Sequence, residues 1–168
     1  KFEQGYFGKG NALDTLVEDI QRLRHIITKR YEDLPYFMLG VDLGSLVLLK
    51  YAGVYGDYIN GMILLGTCMK NSFYYRMKMI VDFNILLHGQ MNHSRVIKKA
   101  IDLFLQRNLN GNYKMTNTKE VNLYMEDPLT DFVYTNQAYR DILDYIKYTS
   151  DEEHLKQIPQ YLPVYLLS

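Results

Sequence analysis

The chain has 168 residues, 48% of them hydrophobic, with 19 basic and 19 acidic side chains. That is one domain's worth of sequence with enough apolar material for a core, and it lacks the basic excess that a nucleic-acid footprint requires. Its single cysteine, Cys68, excludes an intrachain disulfide and fits a reducing compartment, so a cytoplasmic location is expected.

No apolar run reaches the about 18 residues needed to span a bilayer, and no signal-peptide pattern opens the chain. The first residue is Lys1 rather than Met, which places the expected natural N-terminus elsewhere. Sixteen tyrosines, eight methionines and no tryptophan suit a roomy apolar interior, or plain composition bias.

Residues 1–10, "KFEQGYFGKG", are glycine-rich and read as a loop. Asn11 is placed to cap a helix on which Leu13, Val17, Ile20, Leu23 and Ile27 recur at helical spacing. Pro35 ends it. "YFMLG" is short and wholly apolar, as a strand buried on both faces should be. A helix follows over about 43–52, "YGDYIN" makes a turn, and "GMILLGT" is a second buried strand.

From Cys68 to about Pro159 the pattern is helix and loop, without period-two alternation. "SRVIKKAIDLFLQR" puts Val96, Ile97, Ala100, Ile101, Phe104 and Leu105 on one face, with Ser94 as a cap. "NLNGNYKMTNT" is a polar loop. "TNQAYRDILDYIKY" turns Tyr139, Ile142, Leu143 and Ile146 inward, and Ser150 with Glu153 forms a capping box. "LPVYLLS" reads as a third strand.

Strands alternating with helices imply an α/β fold with a parallel sheet. The roughly ninety residues between the second and third strands far exceed an ordinary crossover of about a dozen. The organisation expected is a core part over 1–68, a helical cap over 69–158 and a returning core strand over 159–168. Three strands leave open sheet edges, which further chain segments or an oligomer are expected to cover.

The stretch "PYFMLGVDLGSLVLLKYAG" has the strand–turn–helix layout of a nucleophile elbow, with Asp42 where Gly-x-Ser-x-Gly has serine. "EQGYFGKG", "LVEDIQRLRHII", "LPYFMLGVDLGS", "INGMILLGT", "MEDPLTDFVYTNQAYRDI" and "LPVYLLS" follow one another in an order that resembles the α/β-hydrolases of the lysophospholipase, monoacylglycerol lipase and serine aminopeptidase group. The likeness runs along most of the chain. It implies an α/β-hydrolase fold with a helical cap, carboxylic-ester chemistry, no cofactor, and a small acyl-lipid-like ligand.

It also implies two catalytic-centre positions: Asp42 at the nucleophile's place, and the backbone N–H of Leu43 as an oxyanion donor. Three departures stand out. Serine is Asp42, and the preceding histidine is Val41. The family's acid and histidine would follow Ser168. The early strands with the second oxyanion donor would precede Lys1.

A carboxylate attacking an ester forms an anhydride and expels an alkoxide, the better nucleophile, so the step reverses. The oxyanion would also form beside a fixed negative charge. Ester hydrolysis is therefore not expected, nor is its rescue by Asp42→Ser, and the chain reads as a degenerate hydrolase or pseudoenzyme.

Aspartate does suit halide displacement or epoxide opening, as in haloalkane dehalogenases and epoxide hydrolases. Their elbows usually place Trp after the aspartate, where this sequence has Leu43. A structural role is the plainer reading: aspartate tolerates positive φ, is a good N-cap, and suits the positive end of a helix dipole. Gly40 and Gly44 then serve close strand–helix packing. A non-enzymatic lipid-binding or protein-interaction module is the third reading.

Cys68 reads as a small buried residue. His25, His88, His93 and His154 read as surface or cap residues, with no metal-ligand spacing among them. Tyr74, Tyr75, Met77, Met79, Ile80, Phe83, Leu86 and Leu87 read as helix core or, less favoured, as an acyl-chain pocket.

Overall fold

The computed structural model describes residues 4–67, 72–108, 123, 126–129 and 132–167. Cys68, the side chains of Phe104 and Leu105, and most of "NLNGNYKMTNT" lie outside the described residues. The chain forms two compact units, Gly8–Asn71 with Asp141–Ser168, and Lys1–Phe7 with Ser72–Arg140.

The first unit holds the sheet. Helix α1 (Ala12–Arg30) begins at Asn11, whose side chain accepts from the Asp14 N–H at 3.3 Å. Strand β1 (Phe37–Val41), helix α2 (Leu43–Tyr55), a 3-10 turn at Gly56–Tyr58 and strand β2 (Gly61–Leu65) follow. Strand β3 (Val164–Leu167) returns beside β2. All pairs are parallel, in the order β1-β2-β3, with Leu39, Ile63 and Tyr165 in register.

Helix α2 is apolar around most of its girth because it is packed on two sides, by α1 and by β1. Leu46, Val47, Leu48, Tyr51 and Ala52 are buried there, with Met62 and Leu64 of β2. Leu13 and Val17 of α1 join this core, but Leu23 is exposed, so the inward stripe of α1 stops short of its sequence period.

The strands are not buried on both faces, as their wholly apolar sequences predict. Phe37 is 62% and Leu39 63% exposed, and Val41, Ile63, Leu65, Tyr165 and Leu167 are also open. Gly40, Met62 and Leu64 point to the covered side. In β1 and β2 period-two geometry explains the split, since alternate residues face opposite sides and α2 covers only one of them, whereas β3 is exposed at all four positions. The composition suits a sheet covered twice.

The other unit is helical. Helix α3 (Ser72–His88) packs against α4 (Arg95–Asn108), and helix α5 (Asn136–Thr149) starts in this unit and crosses the boundary after Arg140. Ser94 caps α4, accepting from the Ile97 N–H at 3.3 Å. Ile97 is buried, whereas Val96 is exposed, against the expected single inward face.

Tyr74, Met77 and Val81 make the core side of α3. Tyr75, Met79, Ile80, Phe83, Leu86 and Leu87 are exposed, so this run is neither all core nor a pocket lining. Among the described residues, this unit contributes no strand to the sheet, only an isolated bridge between His93 and Thr135.

Ser150 does not start the next helix. Its hydroxyl donates to the Ile146 carbonyl at 2.6 Å, and Asp151 caps α6 (Glu152–Leu155) by accepting from the Glu153 N–H at 3.0 Å.

Candidate active site

The turn between β1 and α2 is a single residue, Asp42, with φ 47° and ψ −114°. It is the one described non-glycine residue with positive φ. That conformation lies outside the regions open to L-residues and costs about 1–3 kcal/mol, so the surroundings must hold it.

They do so through the backbone. The Asp42 N–H donates to the Leu65 carbonyl at 2.9 Å, tying the turn to the end of β2. The Asp42 carbonyl accepts from the Ser45 N–H at 3.0 Å and from the buried Ser45 hydroxyl at 2.6 Å. Close approach of helix and strand does the rest. A Cβ on Gly40 would stand 2.7 Å from the Gly44 carbonyl oxygen. Gly44 itself has no neighbour within 4 Å of such a position, so only Gly40 has the packing role expected of both.

The N-cap role expected of the Asp42 carboxylate is not fulfilled, since it makes no cap hydrogen bond. A capping residue needs extended backbone to bring its oxygen back to the second or third N–H, and φ 47° points the side chain elsewhere. The carboxylate lies instead against Gly66, where Oδ1 is 2.7 Å from the place a Cβ would occupy. Gly66, at φ 66° just after β2, thus leaves the room the side chain needs. This partner was missed in the sequence, where its only signal was a glycine closing an apolar run.

Leu43 is the first residue of α2. Its N–H precedes the first intrahelical acceptor and is not consumed by the helix ladder. The site therefore carries an exposed carboxylate and a helix-terminal N–H on adjacent residues.

The histidines are dispersed. His25 lies on the exposed side of α1 and His88 at the end of α3. His93 Nδ1 is 2.6 Å from the Val133 carbonyl. His154 stacks on Tyr148 with ring centroids 3.7 Å apart. Among the described residues, no cluster of His, Cys, Asp and Glu is placed to hold a metal ion.

A separate cavity of about 240 Å³ in the sheet unit is lined by Asn11, Lys50, Asp141, Asp144, Tyr145 and Tyr148, among others. The Lys50 side chain is only 10% exposed, pairs with Asp14 and sits 4.5 Å over the Tyr148 ring. Burial, then the charges of Asp141, Asp144 and Asp14, push the Tyr145 hydroxyl pKa well up. Lys50 is eight residues along α2 from Asp42, about 12 Å at a helical rise, so the two places are distinct.

Strand, strained turn and packed helix beside a parallel sheet define an α/β-hydrolase. The family pattern described as Serine aminopeptidase, S33 matches residues 2–167, and the chain belongs to that family. Among solved structures it is similar to a thermostable carboxyl esterase from Bacillus coagulans, solved with glycerol. The TM-score is 0.72 at 22% identity, over 94% of this chain and 52% of that one.

A monoacylglycerol lipase from Paleococcus ferrophilus matches at TM-score 0.60 and 17% identity, over 92% of this chain and 52% of that one. A lipase in its open form matches at TM-score 0.73 and 15% identity, over 94% and 54%. Protein phosphatase methylesterase 1 of Candida albicans (strain SC5314 / ATCC MYA-2876) is 38% identical over 55 residues, which is 32% of this chain and 15% of that protein. The chain thus spans about half the length of these solved structures.

Proposed function

We propose that this chain is a family member whose elbow no longer performs serine ester chemistry, and that it keeps the scaffold to hold a small acyl-lipid-like ligand. The observation that supports this reading is the strained backbone of Asp42, φ 47°, on the single-residue turn between β1 and α2. An alkoxide leaving group would return to the mixed anhydride faster than the anhydride hydrolyses. The carboxylate would also oppose a second negative charge at the Leu43 N–H. The lipase and monoacylglycerol lipase names among the similar structures support the ligand class. In this reading 69–158 serves as the cap, and one cysteine in 168 residues suits the cytoplasm.

The test is turnover of ethyl butyrate, whose leaving group is an alkoxide. The wild type should match Asp42→Asn, and a rate that disappears in Asp42→Asn would refute the reading.

One observation favours an alternative, an aspartate-nucleophile hydrolase. The Asp42 carboxylate is exposed and is not spent on capping the helix. It would attack an alkyl carbon, expel halide and form an ester, which water then cleaves at the carboxyl carbon. One water oxygen would enter Asp42. Halide release from 1-bromobutane, with oxygen-18 from labelled water entering residue 42, would establish this reading over the first.

A further inference from the structure

Gly66 and Asp42 meet at the end of the sheet, each fixed by the backbone of a neighbouring strand. The Asp42 N–H donates to the Leu65 carbonyl of β2 at 2.9 Å, and the Gly66 N–H donates to the Leu167 carbonyl of β3 at 3.0 Å. These bonds continue the parallel ladders β1-β2 and β2-β3. Neither backbone can shift without opening a strand end.

A side chain at 66 would press on one atom of Asp42. Its Cβ would stand 2.7 Å from Oδ1, but 3.8 Å from Cγ and 4.0 Å from the backbone nitrogen. The last two are ordinary van der Waals distances. The obstacle is the carboxylate oxygen alone, the far end of a side chain that can turn. The strand ends thus have room for a side chain at 66, and the carboxylate as it lies does not.

That direction differs from the usual one. An aspartate before a helix turns its oxygen back to the first-turn N–H groups, and Asp42 makes no such bond. The carboxylate fills the space beside Gly66 instead. Serine asks for less space, because its oxygen is one bond from Cβ and a carboxylate oxygen is two.

We propose that Gly66 is the positioning residue of this elbow: its missing side chain sets the direction of the Asp42 carboxylate, off the α2 N-terminus, and fits position 42 for aspartate. The proposal is independent of whether Asp42 reacts.

The test is a double-mutant cycle on the full chain, with Gly66→Ala and Asp42→Ser made singly and together. Backbone strain at φ 66° affects alanine alike in both backgrounds and cancels in the cycle. The displaced carboxylate does not cancel. Gly66→Ala should lower the folding equilibrium constant by about threefold or more beyond its effect in Asp42→Ser, read from urea unfolding curves. Should Gly66→Ala fail to fold, Gly66→Asn repeats the cycle with the same Cβ on a residue that tolerates positive φ.

A second readout follows the carboxylate itself. Asp42 is coupled to glycinamide with a water-soluble carbodiimide, and its labelling rate is taken by peptide mass spectrometry relative to the exposed Asp33. The ratio should rise in the residue 66 variants, since φ 47° keeps the displaced carboxylate from capping α2 and leaves it to solvent. A purely structural glycine would leave this ratio unchanged. Additive stabilities in the cycle, or an unchanged labelling ratio, would overturn the proposal.

Discussion

A Cβ on Gly40 would stand 2.8 Å from the Cα of Ser45, so strand β1 and helix α2 meet there with no room for a side chain. Gly40→Ala should therefore destabilise the protein by about 1–3 kcal/mol, since a backbone atom cannot swing aside as a side-chain end can. Gly44→Ala, open on all sides and inside a helix, should be neutral or stabilising by up to about 1 kcal/mol. Urea midpoints of the two variants check this, and equal losses would mean the helix does not sit as described.

Asp42 invites a second comparison. Glycine adopts φ 47° without the strain aspartate bears, so Asp42→Gly should raise stability by about 1 kcal/mol after its own entropy cost. Asp42→Val, β-branched, should lower it by about 1–3 kcal/mol. Thermal melts of the pair report the sign directly.

The elbow was legible in the sequence because it is punctuated: an apolar run, Gly40, Asp42, then a second apolar run at helical spacing. The orientation of its carboxylate was not. Residue preference says that aspartate caps helices, but capping needs extended backbone, and the turn supplies φ 47° instead. Ser150 and Asp151 pose a similar problem. Both are good caps, and only the structure shows the Ser150 hydroxyl committed to Ile146, which leaves the cap to Asp151. Periodicity found the helices, yet it cannot say what covers a face. Leu23, Val96 and the outer side of α3 keep the helical period and remain exposed. Gly66 gave no signal beyond its place after a strand.

Tyr51 sets a pH limit. Its hydroxyl donates to Gln21 Oε1 at 2.7 Å, and burial pushes its pKa up to about 12, with the Arg24 guanidinium pulling the other way. The neutral phenol is the form the fold favours. Its contribution is complete below the unfolded-state value of about 10 and is lost as pH rises through the folded value. Tyr145 shifts in the same direction. Absorbance at 295 nm should show these two tyrosines ionising late, with loss of structure, and Tyr51→Phe should remove part of the decline between pH 10 and 12. A Tyr51→Phe profile identical to the wild type would contradict the burial.

The central claim is that Asp42 holds the nucleophile's place without forming a covalent intermediate. Peptide mass spectrometry over residues 35–52 tests it most directly, after rapid quenching of the protein with ethyl butyrate, 1-bromobutane and styrene oxide in turn. The account predicts an unmodified Asp42 in every case, identical to the protein without reagent. An acyl or alkyl adduct on Asp42 that forms and decays on the timescale of product release, and is missing in Asp42→Asn, would contradict it.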